Sequence, residues 1–298
     1  MAGSRTSPVG RFALLLDGIP CGFVHAVSGG AVTADVVTAP ARGSGFDEKH
    51  LGPVRYEEIA VQLDLSCDVR VYDWIAATLK RSFSRRNGSI VAIDAAGKAV
   101  SEQEFVRGLV SEVAFPALDG SSKEPAYLTV KIAPELTRLK KGSGKPIKAA
   151  PGVKPKLWPA SSFKLEIDGL ETKRVSKVEA LTIKQSSVRE TIGDTRRAVK
   201  EPGNVEFPNL RVTFPQIDAD TWAAWFDDFV VKGSNGPLQE RGGTLTFLSA
   251  DSKTRLGALG FFNLGIFRLG PEPRQAGSET VARLVADLYC ERMELNVA

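Results

Sequence analysis

The sequence predicts a mainly β protein with one principal helix per domain, arranged as two tandem antiparallel β-barrel or sandwich domains. Three observations carry that expectation. "FKLEIDGLE" at 163–171 echoes "FALLLDGIP" at 12–20, with Asp-Gly at the same place in each. The apolar set Val54, Tyr56, Ile59, Val61 and Leu63 returns 151 residues later as Val205, Phe207, Leu210, Val212 and Phe214. An amphipathic Trp-bearing stretch then follows each set, with Trp74 and Trp225 at that same spacing.

The elements follow in order. Phe163, Leu165 and Ile167 alternate with Lys164, Glu166 and Asp168, the period of a half-buried strand. Asp168-Gly169 supplies a hairpin turn, because glycine reaches positive φ without steric cost. The first copy reads Phe12, Leu14, Leu16 and then Asp17-Gly18, with apolar Ala13 and Leu15 between, as a strand covered on both faces would. In each matched apolar set the alternation slips by one residue, at Glu57-Glu58 and at Pro208-Asn209. A slip inverts the core face unless a bulge absorbs it, so a bulged strand is expected in both places.

"YDWIAATLKRSF" sets Tyr72, Ile75, Ala76, Leu79 and Phe83 on one helical stripe. "DADTWAAWFDDFV" does so with Trp222, Trp225, Phe226 and Phe229, and offers Asp218 or Asp220 as N-cap. The helical spacing assigns Trp74, Trp222 and Trp225 to the core. "GSIVAID" (88–94) and "GTLTFLS" (243–249) each read as a strand leaving a glycine turn. Further strands are expected near 113–117, 127–132, 262–269 and 284–295, while "SEQE" at 101–104 fits a capping box as well as a strand.

The domains implied are 12–135 and 162–298, joined by a basic linker over 136–161. The chain has 39 Lys and Arg against 35 Asp and Glu. Seven of the basic residues and none of the acids fall in "LTRLKKGSGKPIKAAPGVKPKLWPAS" (136–161), so the remainder is slightly acidic. That stretch is rich in Pro, Gly and Lys and reads as a solvated hinge rather than a nucleic-acid tether. The 298 residues suit two domains, each of a size that can hold its own core. No apolar run approaches the ~18 residues of a membrane span, and "MAGSRTSPVG" reads as a loose leader. Cys21, Cys67 and Cys290, odd in number and far apart, suggest buried thiols and cytoplasmic synthesis.

Catalytic signatures fail on mechanism. "KKGSGKP" (140–146) has Leu139 where a phosphate loop needs its first glycine and Pro146 where it needs a hydroxyl. "GSGFDEKHLG" (43–52) lacks the third glycine of a dinucleotide fingerprint. The two histidines, His25 and His50, have no cysteine at metal-ligand spacing. No catalytic residue, cofactor or metal is expected.

The course "FKLEIDGLETKRVSKVEALTIKQSSVRETIGDTRRAVKEPGNVEFPNLRVTF…WAAWFDDFV", closing on "ADLYCERMEL", resembles the tail tube protein of contractile phages and phage-like injection systems. That family shares its fold with the type VI secretion tube protein, and the first half resembles it too, departing most at Gly29-Gly30 and in "TAPARGSGFDEKHLGP". The resemblance implies two tail-tube-like domains whose strands join those of neighbours into a ring around a channel. It also implies that the loop before the third strand, Thr38–Gly52 and Glu190–Gly203, reaches a neighbouring ring. Its charges, Asp47, Glu48, Lys49, Arg189, Asp194, Arg196, Arg197 and Lys200, become stacking candidates. Two such domains per chain imply a homotrimer forming a pseudo-hexameric ring, either of the tube or of an adaptor at its end. Sheath, baseplate hub and tape-measure proteins are the implied partners, with nucleic acid only as channel cargo and no membrane. A baseplate hub component is the nearest alternative reading, and a two-barrel module binding a small ligand or carbohydrate is the alternative from another class.

Overall fold

Asp17 and Gly18 fold the chain back on itself with φ of 50° and 80°, the positive pair that a two-residue hairpin turn requires. The computed structural model describes residues 9–40, 45–147, 157–191, 198–273 and 281–297. The hairpin is β1 (Val9–Leu16) and β2 (Ile19–Val24), followed by β3 (Ala26–Gly29), β4 (Val32–Ala39), β5 (Glu48–Tyr56) and β6 (Ile59–Leu63). After α1 (Val69–Leu79) come β7 (Arg86–Asp94), β8 (Ala99–Phe115), β9 (Leu118–Asp119), β10 (Leu128–Ala133) and β11 (Leu136–Lys141).

The second half opens with β12 (Phe163–Ile167), β13 (Lys177–Val178), β14 (Leu181–Thr191), β15 (Ala198–Glu206) and β16 (Leu210–Pro215). A short turn of helix, Gln216–Asp218, leads into α2 (Ala219–Phe226), which widens into a π-helical turn over Asp227–Val231. Then follow β17 (Arg241–Leu248), β18 (Arg255–Pro271) and β19 (Arg283–Val297).

Apart from β2, which has no counterpart, strand order is the same on both sides. The first half runs β2-β1-β7-β8-β10-β6-β3, with β11 also on β8. The second runs β12-β17-β18-β19-β16-β13, where β19 fills the places of both β10 and β11. Register agrees as well: Ile59 faces Ile132 and Leu63 faces Leu128, as Leu210 faces Leu288 and Phe214 faces Leu284. In the β4–β5 hairpin Ala34 faces Val54 and, after a bulge, Val36 faces Leu51. In β14–β15 Gln185 faces Val205 and, after a bulge, Ser187 faces Pro202. Every hairpin partner is 151 residues on, and the partners on β10 and β19 are 156 apart.

Several expectations change. The phase slips at Glu57-Glu58 and Pro208-Asn209 are not bulges within one strand. They are the points where the chain leaves a hairpin and enters a main sheet, β5 to β6 and β15 to β16, so the core face is free to invert. The stretches expected as long loops are instead hairpins. Residues 136–141, expected in the linker, are β11: Thr137 is buried and its hydroxyl donates to the Gly30 carbonyl at 3.1 Å, while Lys140 and Lys141, further along the strand, are exposed. Trp158, also expected in the linker, is buried and tilts against Phe247 at 4.8 Å. Residues 148–156 of that segment lie outside the described residues.

"SEQE" belongs to β8, where pairing to β7 on one side and β11 on the other outweighs local capping. No strand directly follows the Asp168-Gly169 turn to complete a hairpin with β12, and the next strand is β13. Asp68 caps α1, accepting from Arg70 N–H at 3.0 Å. Asp218, expected as a cap, makes no capping bond and instead receives Arg174 Nε at 3.0 Å. Trp74, Trp222 and Trp225 are all buried, in one apolar core that draws on both halves.

Candidate assembly interface

The two halves meet along a strand seam. The end of β8 is paired with β10 on one side, and its other side receives the first residues of β14. Leu181 faces Phe115, Ile183 faces Val113, and Lys184 faces Glu112, opposite charges across the ladder. Leu181 and Ile183 are buried there. Below, β13 pairs with β9, and Phe115 stacks on Phe247 at 5.6 Å, so apolar side chains of both halves close the seam. On a third side α1 packs against β19, with Lys80 Nζ 3.9 Å from a Glu294 carboxylate oxygen.

A charged cluster pins the hairpin beyond the seam. Arg107 Nε donates to Glu135 at 2.7 Å, and Arg85 lies 3.6 Å from the same carboxylate. Arg85 also reaches Glu201 at 2.7 Å and donates to the Lys200 carbonyl at 3.0 Å. The Lys200 N–H in turn points at Glu135, 3.4 Å away. Glu135 and Arg85 are largely shielded from water, so these pairs hold better than surface ion pairs do.

Of the stacking candidates, Lys200 therefore sits in the seam. Asp47, Glu48 and Lys49 are exposed at the tip of β4–β5, with Glu48 3.6 Å from His50. Arg189 is opposite Lys200 in the β14–β15 ladder, and Asp194, Arg196 and Arg197 lie outside the described residues. The sequence reading missed Arg85, Arg107 and Glu135. Nothing in their local pattern marks them, because the partners are brought together only by the fold.

Chemistry of other kinds finds no foothold among the described residues. No His, Cys, Asp and Glu cluster there has the geometry of a metal site, and no helix is long and apolar enough to cross a membrane. His25 lies flat on Tyr127 at 4.1 Å. Burial pushes the Cys67 thiol up to about 12 and raises Cys21 and Cys290 as well, so none is a thiolate near neutrality. Iodoacetamide at pH 8 should thus leave the folded protein unlabelled over an hour and modify all three cysteines in urea. Rapid labelling of the native protein would contradict this burial.

Residues 9–137 match the sequence model of the T4-like virus tail tube protein gp19. Over that span, less than half of the chain, the sequence is similar to the T4-like virus tail tube protein family. The tail tube domain runs into β11, so the matched span includes residues that composition alone assigns to the linker. The first half of the chain thus reads as a tail tube domain by sequence likeness.

No curated protein sequence matches the chain. Among solved structures it is similar to a chain of the anti-feeding prophage cap, at 15% identity and TM-score 0.42 over 52% of this chain and 98% of that one. It is also similar to a chain of the PVC sheath-tube complex of an extracellular contractile injection system, at 16% identity and TM-score 0.41 over 46% and 93%. Hcp1 from Flavobacterium johnsoniae matches at 12% identity and TM-score 0.28 over 46% and 95%.

Proposed function

We propose that the whole chain is two tail-tube domains in tandem and that three chains close into a pseudo-hexameric ring of the inner tube or of an adaptor at its end. The observation that carries this reading is the shared strand order, with matching register and matching bulges, in β1–β11 and β12–β19. Only the first half matches the family model, so the domain status of the second half rests on that correspondence.

A ring follows from the free edges. β4 pairs with β5 alone, and at Arg268–Pro271 the outer side of β18 has no strand partner among the described residues. Unpaired backbone edges favour association, and a head-to-tail contact closes when its rotation divides a full turn. Two domains per chain bring the sixfold geometry of a tube down to three chains. Such a ring would stack on other tube rings and meet the sheath or baseplate hub, through exposed hairpin-tip residues such as Asp47, Glu48 and Lys49.

Sedimentation of the purified protein tests the assembly. A species of three times the 32.0 kDa chain mass, appearing as rings in negative stain, is the expected result. A monomer that persists at high concentration would overturn it.

A further inference from the structure

Residues buried where the two halves meet have counterparts that the single chain leaves open. Ile183 in the seam is 2% exposed, whereas Val32, at the same position of the first hairpin, is 56% exposed. Leu79, ending α1, is 3% exposed and its counterpart Val230 after α2 is 41% exposed. Leu295 of β19, the strand on which α1 packs, is 3% exposed, and its counterpart Leu139 of β11 is 79% exposed. Three separate elements are uncovered in the same sense.

The accepting edge is preserved too. Glu112 of β8 faces Lys131 of β10 just past a bulge, and Arg268 of β18 faces Asp287 of β19 just past the matching bulge. Arg268, Leu269 and Gly270 therefore stand where Glu112, Val113 and Ala114 receive β14.

The charges around this edge are inverted at several points rather than copied. The place of Arg85 is held by Glu240, which accepts from Tyr289 at 2.7 Å and from Asn263 at 2.8 Å. Asn263 replaces Arg107, and both have positive φ, 58° and 51°. Glu291 replaces Glu135 and is exposed. On the hairpins, His50 stands where Glu201 does, so the acid that meets Arg85 inside the chain becomes a donor that suits Glu240. A second-half hairpin on this edge would instead set Glu201 against Glu240 and Lys184 against Arg268. Like charges would repel at both points.

We infer that the seam inside the chain is repeated between chains, in the same register and with inverted charges, the partner being a second copy of this protein. Ala31, Val32 and Thr33 pair with Gly270, Leu269 and Arg268 of that copy. The Lys49 N–H and the His50 ring face its Glu291 and Glu240, and Leu139 is covered by the end of that copy's α2. The inference rests on the ring reading above and adds to it the register and the charge code.

Two variants test it against the assembled protein. Thr33→Cys with Arg268→Cys should form interchain disulfides on mild oxidation, giving covalent species of up to three chains on non-reducing gels. The pair shifted by two residues, Asp35→Cys with Arg268→Cys, should not. Lys49→Glu with His50→Glu should weaken assembly ~10-fold or more. Adding Glu240→Gln, which removes the like charge facing position 50, should recover part of it, with circular dichroism unchanged throughout. Rings that form without the first disulfide, or with the shifted one, overturn the register while leaving the ring reading intact. Rings indifferent to the charge reversal overturn the charge code. A wild-type protein that stays monomeric overturns both readings together.

Discussion

Trp222→Ala is expected to destabilise the protein by about 3–5 kcal/mol, the range for deleting a fully buried large aromatic side chain. Trp222 is inaccessible to solvent and stacks on Phe214 at 4.5 Å with 21° between the rings. Its indole N–H donates to the Glu171 carbonyl at 2.9 Å, tying α2 to the loop that follows β12. Alanine would open a cavity and leave that carbonyl without its partner, two losses that add at one site. Trp222→Phe keeps most of the volume and should lose less than half as much. Trp225→Ala should fall between them, because Trp225 is slightly more open and its indole bond to Gln239 is longer, at 3.3 Å. Urea unfolding followed by circular dichroism would read these as midpoint shifts at an unchanged slope. A loss below about 1 kcal/mol for Trp222→Ala would mean that α2 is not seated on the core as described.

That helix was legible in sequence, and the reason is local. Trp222, Trp225 and Phe229 recur at helical spacing, so one stripe is apolar whatever the rest of the chain does. The hairpin turn at Asp17-Gly18 was legible for the same kind of reason, since positive φ at two successive residues selects very few residue types. The linker was misread because composition is not pairing. Lys140 and Lys141 look like solvated chain, yet their backbone is paired to Glu102 and Ser101 of β8. The phase slips were visible but their cause was not, because a bulge and a crossing between sheets leave the same mark on alternation. Glu135 sits in no motif at all. Its function arises from Arg85 and Arg107, which are remote in sequence and adjacent only in the folded chain.

Ile183→Asp and Val32→Asp should separate folding from assembly, although the two residues hold the same hairpin position. Ile183 is enclosed between β8 and the core, so a carboxylate there loses its water without gaining a cation opposite, since it faces Val113. Such a group costs about 3 kcal/mol or more, and the hairpin should peel from β8. Rapid hydrogen exchange across 181–184 would report the release. Val32 is more than half exposed in the single chain, and an aspartate there should change stability by no more than about 0.5 kcal/mol. In a ring the same aspartate would be carried into an apolar seam, so assembly should fail while the unfolding midpoint stays put. Should Val32→Asp assemble normally, the first hairpin does not bury this face against a neighbour. Should Ile183→Asp unfold at the wild-type midpoint, the seam inside the chain contributes too little to hold the halves in place, and a ring built on its likeness loses its physical basis.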